Sequence, residues 1–90
     1  MNKKIYTIEW HRQAAKTFEK ISDQKLKEYI LHVLKNVLAH DPMAGKSLEG
    51  SFKGTRSYRM GVIRIIYKIY KDRLVLIVLN ITHRRDVYRR

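Results

Sequence analysis

The stretch Leu74-Val75-Leu76-Ile77-Val78-Leu79-Asn80-Ile81 constrains this chain more than any other part of it. It is apolar without alternation, the pattern of a strand covered on both faces or lying at the centre of a sheet. It is also far too short to cross a bilayer, which takes about 20 apolar residues. A buried strand needs neighbours, and the sequence supplies them directly upstream. Ile63–Tyr70 alternates, with Ile63, Ile65, Tyr67 and Ile69 on one face and Arg64, Ile66, Lys68 and Tyr70 on the other. Arg56–Met60 reads as a further strand. Gly61-Val62 and Lys71-Asp72 stand where two-residue hairpin turns belong, the second without ideal turn composition. The last strand is expected over Arg73–Ile81.

The first half of the chain has a different period. Lys4–Trp10 is rich in β-branched and aromatic residues and predicts a short strand. From His11 onward Ala14, Ala15, Phe18 and Ile21 fall at helical spacing. Ser22 or Asp23 then suits the N-cap of a second helix, whose apolar stripe runs Leu26, Tyr29/Ile30, Val33/Leu34, Val37/Leu38. That stripe reads as core, and His40-Asp41-Pro42 ends the helix. Residues 43–55 hold three of the four glycines and read as a loop, pinned by Leu48 and Phe52. The order β-α-α-β-β-β predicts one α+β domain over residues 1–90: an antiparallel-rich twisted sheet with an N-terminal α-helical hairpin packed on one face.

Charge narrows the function. Twenty Lys and Arg stand against eight Asp and Glu, a formal +12, and there is no cysteine for a disulfide framework or a thiolate metal site. Residues 1–45 carry eight basic and five acidic side chains, a net of +3; residues 46–90 carry twelve and three, a net of +9. The basic residues change type as well: seven Lys and one Arg give way to four Lys and eight Arg. Arginine's planar fork binds phosphate through two donors, whereas lysine is a hydrated point charge. A solvated basic surface is the plain explanation, but this bias toward arginine points to a polyanion, and nucleic acid is the expected partner. The arginines lie in strand-like sequence, which disfavours a membrane-surface helix. The opening MNKKIYTIEW is interrupted by charge and predicts no secretory leader, so a cytoplasmic location is expected.

Register arithmetic proposes a site. A turn at Gly61-Val62 sets Arg59 across from Arg64, and one at Lys71-Asp72 sets Arg64 across from Leu79. Arg59, Arg64, Ile81 and His83 would then share one face, an assignment that a one-residue slip would reverse. Two arginines directly opposed repel, and an anion between them would explain their pairing. Such residues suit internal RNA cleavage by the 2′-hydroxyl, which needs a base, an acid and fixed positive charge, and no metal. Arg59 and Arg64 would supply the charge, and His83 or Tyr88 would move protons. Plainer roles compete: His83 as a strand-end residue, Tyr88 as a lid on the core, and Tyr58, Tyr67 and Tyr70 as sheet packing. His11, His32 and His40 match no metal-ligand spacing. Glu49, the acidic residue in the glycine-rich loop, is a lesser candidate base.

The β-α-α-β-β-β order, the loop ending Ser47-Leu48-Glu49-Gly50, the segment Tyr58-Arg59-Met60-Gly61-Val62-Ile63-Arg64-Ile65-Ile66-Tyr67 and the closing His83-Arg84-Arg85-Asp86-Val87-Tyr88 together resemble the RelE/ParE superfamily of prokaryotic toxins. The resemblance covers essentially the whole chain. Its RelE-like branch implies a toxin of a type II toxin–antitoxin system, an mRNA endoribonuclease that cuts codons in the ribosomal A site without metal or cofactor. A cognate antitoxin, wrapping the toxin with an acidic segment, would hold it inactive. The ParE-like branch implies a DNA gyrase inhibitor instead, and a non-catalytic basic RNA- or partner-binding domain is a third reading. Carried over, Arg64 matches the strand arginine at the scissile phosphate, and Arg84 the basic residue after the last strand. Tyr88 matches the C-terminal tyrosine of proton transfer or base stacking, Arg59 occupies a basic position of the strand before, and His83 matches a histidine present in many RelE-like members but not all. Many members have a longer turn and a further basic residue where this chain has only Met60-Gly61-Val62-Ile63. Lys53 or Arg56 would replace that cation, and Arg85 and Arg89 would add RNA contacts from the tail.

Overall fold

A computed structural model describes residues 4–48 and 54–83. The chain forms β1 (Thr7–Trp10), α1 (Arg12–Glu19), α2 (Gln24–Val33), a π-helical turn (Leu34–Leu38) and a 3₁₀ turn (Pro42–Ala44). The strands β2 (Lys46–Ser47), β3 (Thr55–Met60), β4 (Ile63–Tyr70) and β5 (Val75–His83) follow. They make one sheet in the order β1-β5-β4-β3-β2, parallel between β1 and β5 and antiparallel elsewhere. The expected α+β architecture is present. The apolar run lies inside the sheet, between β1 and β4.

Each helix begins where a side chain satisfies free backbone N–H groups. His11 Nδ1 accepts from Gln13 N at 3.2 Å and starts α1, a capping role that its sequence context did not announce. Asp23, rather than Ser22, caps α2, its Oδ1 accepting from Lys25 N at 3.0 Å and Leu26 N at 3.2 Å. Removing that carboxylate as Asp23→Ala is expected to cost about 1 kcal/mol, read as a lowered midpoint in thermal or urea unfolding. Of the paired positions in the α2 stripe, Ile30 takes the core, while Tyr29 is 52% exposed. The stripe then shifts phase at the π turn, where Ala39 N donates to Leu34 O across five residues at 2.9 Å. Leu34, Leu38 and Ala39 are all buried as a result. Ala39 O also receives Tyr6 N at 2.8 Å, tying the helix end to the segment entering β1.

Both helices pack on one side of the sheet. Ala14, Ile30, Val33, Leu34 and Leu38 meet Ile63, Ile65, Tyr67, Leu76, Val78 and Ile81 there. Trp10 and Phe18, with ring centroids 5.1 Å apart, join β1 to α1 on the same side. This leaves the opposite side of β3, β4 and β5 without a helix among the described residues.

Several boundaries differ from those the sequence suggested. β1 starts at Thr7 rather than Lys4, and the predicted loop contains both the 3₁₀ turn and β2. Leu48 is half-buried, and Phe52 lies outside the described residues. The main correction concerns the second hairpin. Its turn takes four residues, Lys71–Leu74, with Leu74 at φ +53 and the strands closing at Tyr70↔Val75. A two-residue hairpin turn favours residues that accept positive φ, which Lys71-Asp72 does not supply. A bulge then adds one residue to β5: Tyr67 pairs with Val78 but Ile66 with Asn80, leaving Leu79 over. The bulge changes the phase of the core-facing row, so Leu76, Val78 and Ile81 can all be buried.

Candidate nucleic-acid interface

The hairpin of β3 and β4 turns at Gly61, which has φ +63, a backbone conformation glycine adopts without penalty. Its register is the predicted one. Arg59 and Arg64 are directly opposed, on the row that alternates with the core-facing Tyr58, Met60, Ile63 and Ile65. Both arginines are exposed. Side chains so placed have Cβ atoms about 4.5–5.5 Å apart, so two guanidinium groups share one patch of surface. Among the described residues neither has a hydrogen-bond or ion-pair partner.

On its other flank Arg64 stands opposite Thr82, not Leu79. The difference is three positions, an odd number, so the predicted face of β5 is reversed. Ile81 pairs with Ile65 and is 4% exposed, in the core. His83 pairs through its backbone with Ile63, and Thr82 is the residue across from Arg64. The predicted register that grouped Arg59 and Arg64 with Ile81 and His83 therefore does not hold, and Ile81 lies in the core. Lys53, Arg84, Arg85, Tyr88 and Arg89 lie outside the described residues, as does Glu49.

Arg56 is engaged by the fold. It falls on the core-facing row, opposite Tyr67, and its Nη2 donates to Gly45 O at 2.6 Å and Met43 O at 3.1 Å. Beside it, the buried Tyr67 hydroxyl donates to Pro42 O at 2.6 Å and accepts from Gly45 N at 3.0 Å. Burial raises the Tyr67 pKa above its ordinary value, although the Gly45 hydrogen bond and the nearby Arg56 oppose the shift. Together the two side chains hold the chain between α2 and β2. Sequence pattern marked Tyr67 as packing, and the family resemblance offered Arg56, or Lys53, as a replacement cation for RNA; neither reading included this clasp.

The rest of the open face is cationic toward the far end of β4. Lys68 Nζ lies 5.3 Å and Arg73 Cζ 4.6 Å from the centroid of the Tyr70 ring. Among the described residues no three His, Cys, Asp or Glu side chains gather as a metal site, and no helix is long and apolar enough to cross a membrane. What the face offers chemically is a pair of adjacent, exposed guanidinium groups suited to an anion.

A family model described as the ParE toxin of the type II toxin–antitoxin system parDE matches residues 8–88. Toxin RelG of Mycobacterium tuberculosis is 27% identical over 85 residues, spanning 94% of this chain and 98% of that protein. Among solved structures, the RelBE2 toxin–antitoxin complex of Mycobacterium tuberculosis superposes with a TM-score of 0.83 at 25% identity, covering 89% of this chain and 92% of that one. The archaeal RelE–RelB complex of Pyrococcus horikoshii OT3 shares the fold, with a TM-score of 0.73 at 22% identity over 89% and 96% of the two chains.

Proposed function

This chain belongs to the ParE toxin family of type II toxin–antitoxin systems, and we propose that it acts as a ribosome-dependent mRNA endoribonuclease. The opposed Arg59–Arg64 pair carries the reading, because it places two exposed guanidinium groups, without partners among the described residues, side by side on the sheet face that no described helix covers. Like charges kept side by side suit a site that receives a phosphodiester. The names of relatives, RelG and RelE, support the same branch.

The chemistry is attack of an RNA 2′-hydroxyl on the adjacent phosphorus. The P–O bond to the 5′-oxygen breaks, and the strand ends in a cyclic phosphate and a free 5′-hydroxyl. Arg59, Arg64 and Arg84 hold the phosphate and offset the charge gained in the transition state, commonly the largest catalytic contribution. Tyr88 is the leading proton-transfer residue, as acid or base, and His83 is a second candidate. Lys53, Arg85 and Arg89 add contacts to the RNA backbone, with Arg56 reserved for the clasp. The reaction needs no metal or cofactor. A cognate antitoxin with an acidic segment covers the basic face, the ribosome presents the message, and the work is done in the cytoplasm.

The test is a translation extract to which the purified protein is added. Message cut at A-site codons is the expected result, with cutting lost on Tyr88→Phe. The matched ParE description favours one rival, inhibition of DNA gyrase. Intact message together with impaired supercoiling by gyrase would move the chain to that branch.

A further inference from the structure

The open face extends beyond the arginine pair. Along β4 it presents Arg64, Ile66, Lys68 and Tyr70, and the turn brings Arg73 back over the Tyr70 ring. Four residues of strand separate Lys68 from Arg64 and six separate Tyr70 from it, about 13 and 20 Å at roughly 3.3 Å per residue. Both cations lie within the roughly 6 Å at which an aromatic face attracts them. Neither has an acidic partner at ion-pair distance among the described residues.

We infer that Lys68, Tyr70 and Arg73 form a second RNA-backbone contact, which holds single-stranded RNA flanking the phosphate bound by Arg59 and Arg64. The placement follows from the reading of that first site as an RNA site. Tyr70 acts as the holder: its ring restricts the two long side chains, so less conformational entropy is lost when they meet a phosphate. An arginine packed on a ring keeps its outward N–H groups for an anion. With the ring taken up by cations, the cluster has donors for phosphates and no reading of bases, so its contribution is independent of sequence. A merely solvated basic strand end would need neither the shared ring nor alignment with the arginine pair.

The experiment measures binding of the full chain to a 2′-O-methylated single-stranded dodecanucleotide, which cannot be cleaved, by fluorescence anisotropy across a salt series. Each lost phosphate contact flattens the plot of log K against log salt by about 0.7 for single strands. The double variant Lys68→Ala/Arg73→Ala is expected to flatten it by about 1.4 and to bind about tenfold more weakly at low salt, equally for different base sequences. The charge-keeping pair Lys68→Arg/Arg73→Lys should restore the slope. A double alanine variant with the original slope overturns the inference, as does a loss that the charge-keeping pair fails to restore. Arg64→Ala separates the two sites. A slope that falls with Arg64→Ala but not with the double variant leaves only the first site standing. The reverse pattern leaves only the second, and the proposed cleavage site fails.

Discussion

Arg64→Ala should lower the rate of message cleavage by about 10²–10³, the usual cost of removing one donor from a transition-state oxyanion site. Stability should move the other way or not at all. Arg64 is exposed and unpartnered among the described residues, so its truncation is expected to stay within about 0.5 kcal/mol. Relief of the repulsion with Arg59 across the ladder favours a slight gain. The diagnostic result is therefore activity lost with the unfolding midpoint unchanged or raised. Arg64→Lys should recover only part of the rate, because an ammonium cannot offer the two parallel donors of a guanidinium. Arg59→Ala should cost less. If both arginines hold one phosphate, the double variant should fall short of the product of the two single effects. Undiminished cleavage by Arg64→Ala would remove the arginine pair from the mechanism.

That arginine pair was legible in the sequence because two signals agreed. Ile63–Tyr70 keeps every charged residue on one face, and Gly61 provides the positive φ that its tight turn uses. The other hairpin offered neither signal. Lys71-Asp72 favours no tight turn, and a strand apolar at nearly every position hides its own phase. The bulge at Leu79 is invisible in such a run, yet it decides whether Thr82 or Ile81 stands beside Arg64. The helices show the same division. Spacing found the stripe of α2, but the π turn that buries Leu34, Leu38 and Ala39 together depends on how the helix end packs on the sheet. Composition located the cationic half of the chain without sorting its members. Arg56 and Arg59 are three residues apart, and only strand phase shows that one engages loop carbonyls while the other faces solvent.

The clasp yields the largest expected stability change. Gly45 is buried, and a Cβ added there would collide with the Tyr67 hydroxyl and sit 2.9 Å from the backbone oxygen of Ser57. Its φ of −76 is open to any residue, so the demand for glycine is steric and not conformational. Gly45→Ala must displace either the β3 backbone or a fully buried tyrosine that bonds Pro42 O and Gly45 N. Overpacking of this kind costs about 1–3 kcal/mol, and an orphaned buried hydroxyl or carbonyl adds about 1–3 kcal/mol. Chemical denaturation should show the loss. Tyr67→Phe removes the colliding oxygen, so Gly45→Ala/Tyr67→Phe should be less destabilised than the two single changes added together. Strict additivity would mean that Ser57 O alone excludes the side chain. The same hydroxyl makes stability depend on alkaline pH. Burial raises its pKa in the fold above the ordinary value of 10.0, so the unfolded chain releases this proton first. The contribution is complete below about pH 10 and is lost as pH rises through the folded pKa. Tyr67→Phe should abolish that part of the alkaline loss while leaving Arg59 and Arg64 on their open face.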